Sequence, residues 1–119
     1  MDVDAYAAAW RRRFSVEEAA VEARARAARG AASRAATLLR ADFGVSEVWL
    51  FGSLASGGPR HREFDIDLAV QALAPGRYFA ALSRVSELTD VPIDLVTLET
   101  CSPALARRVR AEGIRLDGA

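Results

Sequence analysis

Residues 49–70 read WLFGSLASGGPRHREFDIDLAV, and this stretch decides the fold. An apolar run ends at Gly52 and Ser53, a glycine-rich loop follows, and a second apolar run opens with Asp65 and Asp67. Short runs of β-branched and aromatic residues bounded by Gly and Pro are typical of strands. The stretch therefore predicts two strands joined by a polar loop, with small residues ending one strand and acids opening the next.

The two acids lie two residues apart, which places them on one face of a strand because strand side chains alternate. Ile66, Leu68 and Val70 are then expected to point into the core. Neighbouring carboxylates repel each other, and a cation between them removes the repulsion. Because Mg²⁺ prefers oxygen ligands and commonly uses one or two carboxylates with substrate phosphates, Asp65 and Asp67 are predicted to bind metal.

The Gly52-Ser53 pair is predicted to bind phosphate. Glycine has no Cβ, so its backbone can approach an anion closely. The Ser53 hydroxyl can donate a hydrogen bond, and a following helical turn would direct its N–H groups at the same anion. A phosphate site beside a metal-binding acid pair favours nucleoside triphosphate chemistry.

A third acid, Asp94, stands in the apolar run PIDLVTL of residues 92–98. A lone Asp in such a strand is costly unless it is paired or bound to metal. If this strand lies beside the one that carries Asp67, three acids can hold two metal ions about 3.5–4 Å apart for in-line phosphoryl displacement. Asp94 is then expected to help deprotonate the attacking hydroxyl. Each feature alone is commonly a turn or a solvated acid, and only their order is specific.

The rest of the chain indicates a helical first third and an α/β remainder. Ala, Arg and Glu dominate up to Gly44, which predicts helices over residues 4–13 and 15–42, the second begun by an S-x-x-E capping box at Ser15. The predicted strands cover residues 45–51, 64–70, 92–98 and 114–116, and the later helices cover 75–88 and 103–112. We therefore divide the chain into an N-terminal helical extension, 1–44, and an α/β domain, 45–119.

Composition excludes several classes of protein. Sixteen basic residues, all Arg, balance sixteen acids, which argues against a nucleic-acid binder held by a basic field. Cys101 is the single cysteine, so there is no disulfide framework. No apolar run approaches the roughly 18 residues of a membrane span. The first residues, MDVDAYAAAWRRR, lack the apolar core of a secretory signal, so the expected compartment is the cytoplasm.

The sequence resembles the nucleotidyltransferase superfamily that includes DNA polymerase beta, and more closely its minimal nucleotidyltransferases. The resemblance rests on the order of three features: a Gly-Ser pair, an Asp-x-Asp motif after a loop, and an acid on a later strand. The resemblance implies a small mixed sheet flanked by helices, with ATP as substrate and two Mg²⁺ ions. It implies that Asp65, Asp67 and Asp94 are both metal ligands and catalytic residues. It assigns nucleotide binding to Gly52 and Ser53.

The same resemblance implies a partner. Many minimal members are antitoxins of a helical HEPN ribonuclease toxin, and the implied reaction attaches AMP to a toxin tyrosine. At 119 residues there is no room for a second substrate domain, so we expect the acceptor to come from a partner or from another copy in an oligomer. Tyr6, Trp10 and Phe14 either dock that partner or fold back on the core.

The sequence departs from the family pattern in its loop. Ser56 stands where an Arg is common, and either Arg60 or Arg62 is a candidate to replace its phosphate contact. Phe64 stands where a small Ser commonly precedes the first acid. Two rival functions stay open: an antitoxin that neutralises its toxin by binding without catalysis, and an accessory subunit whose missing half supplies a small-molecule or nucleic-acid pocket.

Overall fold

The structure is a computed structural model, and it describes residues 2–116. The elements are α1 (Val3–Phe43), β1 (Glu47–Phe51), β2 (Ile66–Gln71), α2 (Tyr78–Ser86), β3 (Ile93–Thr97), α3 (Pro103–Glu112) and β4 (Ile114–Arg115). Short 3₁₀ turns follow β1 at Gly52–Leu54 and precede α2 at Pro75–Arg77. Every predicted strand is present, and its observed bounds lie within two residues of the predicted ones.

The four strands form one mixed sheet in the order β3-β2-β1-β4. Strand β2 runs antiparallel to β1 and parallel to β3, while β4 pairs antiparallel with β1. A parallel pair needs a crossover connection, and α2 supplies it between β2 and β3. The sheet confirms the predicted mixed α/β fold.

Helices cover both faces of this sheet. On one face, Val48, Leu50, Ile66, Leu68 and Val70 are fully or almost fully buried in the main core with α1 and α2. On the other face, a smaller cluster joins Ala69 to Leu98 and Val109, with Trp49 and Phe51 packed against it. The predicted inward orientation of alternate β2 residues is therefore confirmed, and α3 covers part of the face that carries the acids.

The first third of the chain is one helix of 41 residues, so the predicted break between residues 13 and 15 is wrong. Asp2 is the N-cap, and its carboxylate accepts hydrogen bonds from the backbone N–H groups of Asp4 and Ala5. Ser15 is tolerated within the helix because residues 11–13 before it and 17–20 after it are strong helix formers, and neither Gly nor Pro lies within two turns of it. The helix ends at Phe43, one residue after the predicted end, and Gly44 caps it in a left-handed conformation with φ of 67°.

Only the second half of α1 contacts the core. Its buried positions begin at Ala25 and are mostly alanines, which let the helix approach the sheet closely. A helix of 41 residues is about 61 Å long, and the longest dimension of the protein is 64 Å. The first half of α1 therefore extends beyond the α/β body, while residues 25–43 share a core with the body. None of the helices in the part of the chain described is long and apolar enough to cross a membrane.

Candidate active site

The pairing of β2 with β3 brings two of the predicted acids side by side. The two strands run parallel, and their register places Asp67 opposite Asp94, one position after Ile66 and Ile93. Neighbouring strands lie about 4.8 Å apart, and paired residues project to the same face. Asp65 immediately precedes β2, so all three acids gather at one edge of the sheet.

The acids influence one another electrostatically. Asp67 is half-buried, whereas Asp65 and Asp94 are exposed. The pKa of Asp67 is raised from 3.8 to about 6, first by burial and then by the charges of Asp94 and Asp65. Each neighbour makes a charge on Asp67 less favourable, which is the situation that a bound cation relieves.

The donor set fits a hard cation that completes its coordination with substrate. Among residues 2–116, the ion pairs and side-chain hydrogen bonds satisfy other acids, and none involves the carboxylate of Asp65, Asp67 or Asp94. Within the same residues, no group of three or more His, Cys, Asp or Glu side chains is arranged to hold a metal alone. Because Mg²⁺ commonly takes one or two carboxylates plus phosphate oxygens and water, this arrangement suits a metal that arrives with a triphosphate.

Gly52 lies directly against the Asp67 carboxylate. Its φ is +76°, and a Cβ at this position would overlap the Asp67 side chain at Oδ2. The backbone turns here into the Gly52–Leu54 helical turn, in which the N–H groups of Ala55 and Ser56 both donate to the Gly52 carbonyl. Both Gly52 and Ser53 are exposed, so this turn is open to a ligand beside the acids.

A cleft of about 340 Å³ opens between this turn and α3. Its lining residues are Phe51, Gly52, Ser53, Ser56, Leu105, Arg108, Val109 and Glu112. Arg108 is the cation of this cleft, and the sequence analysis did not single it out. Arg108 lies one turn after Leu105 and next to the buried Val109, and this spacing is the sequence signal that places it near the sheet-facing side of α3.

The loop arginines take other positions than those predicted. Arg62 forms an ion pair with Glu17 at 3.0 Å, and its backbone carbonyl accepts a hydrogen bond from Arg24 Nε at 3.0 Å. Arg60 and Arg62 line a groove against α1 and do not line the cleft beside Gly52. Phe64 packs against the core with the guanidinium of Arg24 above its ring, 5.8 Å from the centroid. The loop is therefore bound to α1.

Comparison with known proteins identifies the family. A family profile described as polymerase beta, nucleotidyltransferase matches residues 34–117. No curated protein sequence matches the chain. Among solved structures, a toxin–antitoxin with AMP-PNP is 32% identical with a TM-score of 0.61, over 71% of this chain and 70% of that one.

Two further structures are similar. A mutant of the toxin–antitoxin MntA–HpeT is 27% identical with a TM-score of 0.62, over 74% of this chain and 73% of that one. A tri-AMPylated Shewanella oneidensis HEPN toxin in complex with its MNT antitoxin is 26% identical with a TM-score of 0.59, over 77% and 73%. The matched profile covers well over half of the sequence, including all three acids and the Gly52-Ser53 turn, and the chain belongs to the polymerase beta nucleotidyltransferase family.

Proposed function

We propose that this nucleotidyltransferase moves AMP from ATP to a tyrosine hydroxyl of a HEPN toxin, with Mg²⁺, and so acts as an antitoxin in the cytoplasm. The single observation that carries the proposal is the alignment of Asp67 with Asp94 directly beside the open Gly52 turn. It is supported by similar structures that contain a toxin–antitoxin with AMP-PNP and a tri-AMPylated toxin.

The acids have distinct roles in the proposed reaction. Asp65 and Asp67 would hold Mg²⁺, and Asp94 would complete the site. When bound, the metal neutralises charge on the triphosphate and orients it. The acceptor hydroxyl oxygen forms a bond to the α-phosphorus, the bond from that phosphorus to the bridging oxygen breaks, and pyrophosphate leaves. Asp94, which is exposed, accepts the hydroxyl proton.

The Gly52 turn and α3 would hold the triphosphate. Because Gly52 has no Cβ, the Asp67 carboxylate can lie directly against this turn, and Ser53 supplies a hydroxyl donor beside it. Arg108 faces the same cleft and offers a charged fork that suits phosphate oxygens. We therefore assign to Arg108 the phosphate contact for which the sequence had offered Arg60 or Arg62.

The test is intact-mass spectrometry of the cognate HEPN toxin after incubation with this protein, ATP and Mg²⁺. We expect a mass increase of one or more AMP units, lost when EDTA removes the metal and lost in the double variant Asp65→Asn, Asp67→Asn. The matched control is Asp90→Asn, because Asp90 is an exposed acid whose partner is Arg24. If the double variant still neutralises the toxin as wild type does, the mechanism is binding without catalysis.

A further inference from the structure

The first half of α1 carries a row of large apolar side chains that other described residues leave exposed. Val3, Tyr6, Trp10 and Phe14 are 71%, 59%, 47% and 62% exposed. They follow one another at intervals of three or four residues, which places them on one face of the helix. Monomeric proteins rarely expose a contiguous apolar patch of this kind without a binding role.

The exposed row continues the face that packs on the sheet. Seven residues, two helical turns, separate Phe14 from Val21, and four more lead to the first buried position, Ala25. From there the same face is buried down to Leu39 and Phe43. The helix therefore has one apolar side along its whole length, and only the half that lies against the α/β body is covered.

The uncovered half begins at the edge of the sheet that carries the acids. Arg29 Nε donates to the Leu54 carbonyl at 3.3 Å, and Arg24 Nε donates to the Arg62 carbonyl at 3.0 Å. These two contacts join the middle of α1 to the loop that begins at Gly52 and ends at Asp65. The exposed row thus projects outward from the level of the candidate active site.

The loop and the exposed row together form a groove. It has a volume of about 340 Å³, with Trp10, Phe14 and Val21 on its helical side and Arg60, His61 and Arg62 on its loop side. Glu17 and Glu18 also line it, and Glu17 is paired with Arg62. A ligand in this groove therefore touches the same loop that holds the nucleotide-binding turn.

We propose that the groove and the exposed row of α1 are the docking surface for the acceptor protein. The occupant is an amphipathic helix of that protein, with acidic residues beside its apolar face, and it brings the hydroxyl to the edge where Asp94 lies. This inference rests on the proposed function, since it takes for granted that a protein is the acceptor. The aromatic row provides the apolar contact, and the rim arginines select an acidic partner.

Charge favours such a partner over a second copy of the chain. Arg11, Arg12 and Arg13 follow Trp10 directly. Of these, Arg13 lines the groove with Arg60 and Arg62, so three arginines stand there against Glu17 and Glu18. Pairing two copies through Trp10, in either orientation, brings the two arginine runs within about one helical turn of each other. Like charges at such separations repel, whereas carboxylates on an acceptor helix attract.

The experiment measures the affinity for the cognate HEPN toxin without ATP, by isothermal titration calorimetry. The variant is Trp10→Ala with Phe14→Ala, and the matched control is Phe79→Ala, because Phe79 is 80% exposed on α2 and away from the groove. We expect the double variant to weaken binding at least 30-fold and the control to change it less than twofold. Steady-state AMP transfer should show a raised KM for the toxin with kcat unchanged. Circular dichroism confirms that each variant is folded.

The outcomes separate this inference from the proposed reaction. Binding that depends on Trp10 and Phe14 without any AMP transfer by wild type upholds the docking surface and refutes the reaction. AMP transfer with a toxin KM that the double variant leaves unchanged overturns the docking surface and upholds the reaction. The docking surface is also overturned if the chain alone is a dimer by light scattering and the double variant makes it monomeric.

Discussion

At Asp67 the requirements of folding differ from those of the proposed catalysis. Burial and the neighbouring Asp94 and Asp65 raise its pKa to about 6, so the folded protein holds a proton there more tightly than the unfolded chain does. The stability that this proton contributes is fully present below about pH 4 and is lost as the pH rises through 6. At neutral pH the metal-free protein therefore carries an unfavourable charge at its site.

Replacing that charge should stabilise the metal-free protein. We expect Asp67→Asn to raise the free energy of unfolding at pH 7.5 by about 1 kcal/mol, a figure reduced for solvent screening of a half-exposed site. The melting temperature should rise by roughly 4 °C, and the gain should vanish near pH 4. Thermal melts with EDTA check this, with Asp90→Asn as the control. A lower melting temperature for Asp67→Asn at pH 7.5 contradicts the account.

Gly52 should be required for activity through its contact with Asp67. We expect Gly52→Ala to lower AMP transfer at least about 100-fold, because its Cβ displaces the Asp67 carboxylate by more than the site tolerates. Gly57→Ala is the matched control, since Gly57 also has a positive φ, +80°, and a Cβ there meets nothing within 4 Å. Both variants should lose about 1 kcal/mol of stability from backbone strain. Equal activity in the two variants is inconsistent with the proposed site.

Arg108 should contribute to the affinity for ATP. We expect Arg108→Ala to raise the KM for ATP about tenfold, the loss of one charge-assisted hydrogen bond to phosphate. Arg107→Ala, an exposed neighbour that does not line the cleft, should leave the KM unchanged. Arg62→Ala should also have little effect on it, because Arg62 pairs with Glu17. If Arg62→Ala raises the KM for ATP more than Arg108→Ala does, the phosphate contact comes from the loop and not from α3.

At the scale of elements, the continuity of α1 is the feature that sequence reasoning missed. Ser15→Pro should restore the predicted break, because proline in a helix interior removes a hydrogen bond and clashes with the preceding turn. We expect helicity in far-UV circular dichroism to fall while the melting temperature of the body changes little, since the buried part of α1 begins ten residues later. Cooperative unfolding of the whole protein by this variant contradicts the independence of the exposed half.

The elements that the sequence predicts well are those with local signals. Gly44 ends α1, and the Ser102 side chain accepts from the Leu105 N–H at the start of α3, as an N-cap before Pro103 is expected to do. The capping box at Ser15 led to a wrong prediction of a helix start. Such a motif caps a helix only where the backbone leaves the helical conformation, and at Ser15 the backbone stays helical. The two-residue spacing of Asp65 and Asp67 correctly predicts the buried face of β2.

The remaining features depend on packing between distant elements. The position of Arg108 in the cleft depends on how α3 lies over Phe51, and the position of Arg62 depends on Glu17, 45 residues earlier. Neither contact has a local signature. The juxtaposition of Asp67 with Asp94 depends on strand order. The sequence predicts it only if the two strands are neighbours, and the register of β2 with β3 shows that they are.

At the scale of the whole molecule, an α/β body holds the candidate site at one edge. Helix α1 is about twice as long as the part of it that packs on this body, and its other half extends past the body. The whole molecule measures 64 Å along its longest axis and only 29 and 25 Å along the other two. The candidate site is open at the edge toward which the helix projects, as the proposed delivery of the acceptor by a partner protein requires. In the proposed function, the sheet edge supplies the chemistry and the exposed half of α1 supplies recognition of the acceptor.

The central claim is that the three acids and the Gly52 turn transfer AMP, which contains the α-phosphate of ATP. The most direct measurement incubates the protein with the cognate HEPN toxin and ATP radiolabelled at either the α- or the γ-phosphate. The account predicts that the toxin takes up the α-label in the presence of Mg²⁺, never the γ-label, and that Asp94→Asn slows uptake at least about 100-fold. Transfer of the γ-label, or α-label uptake at the wild-type rate by Asp94→Asn, would contradict it.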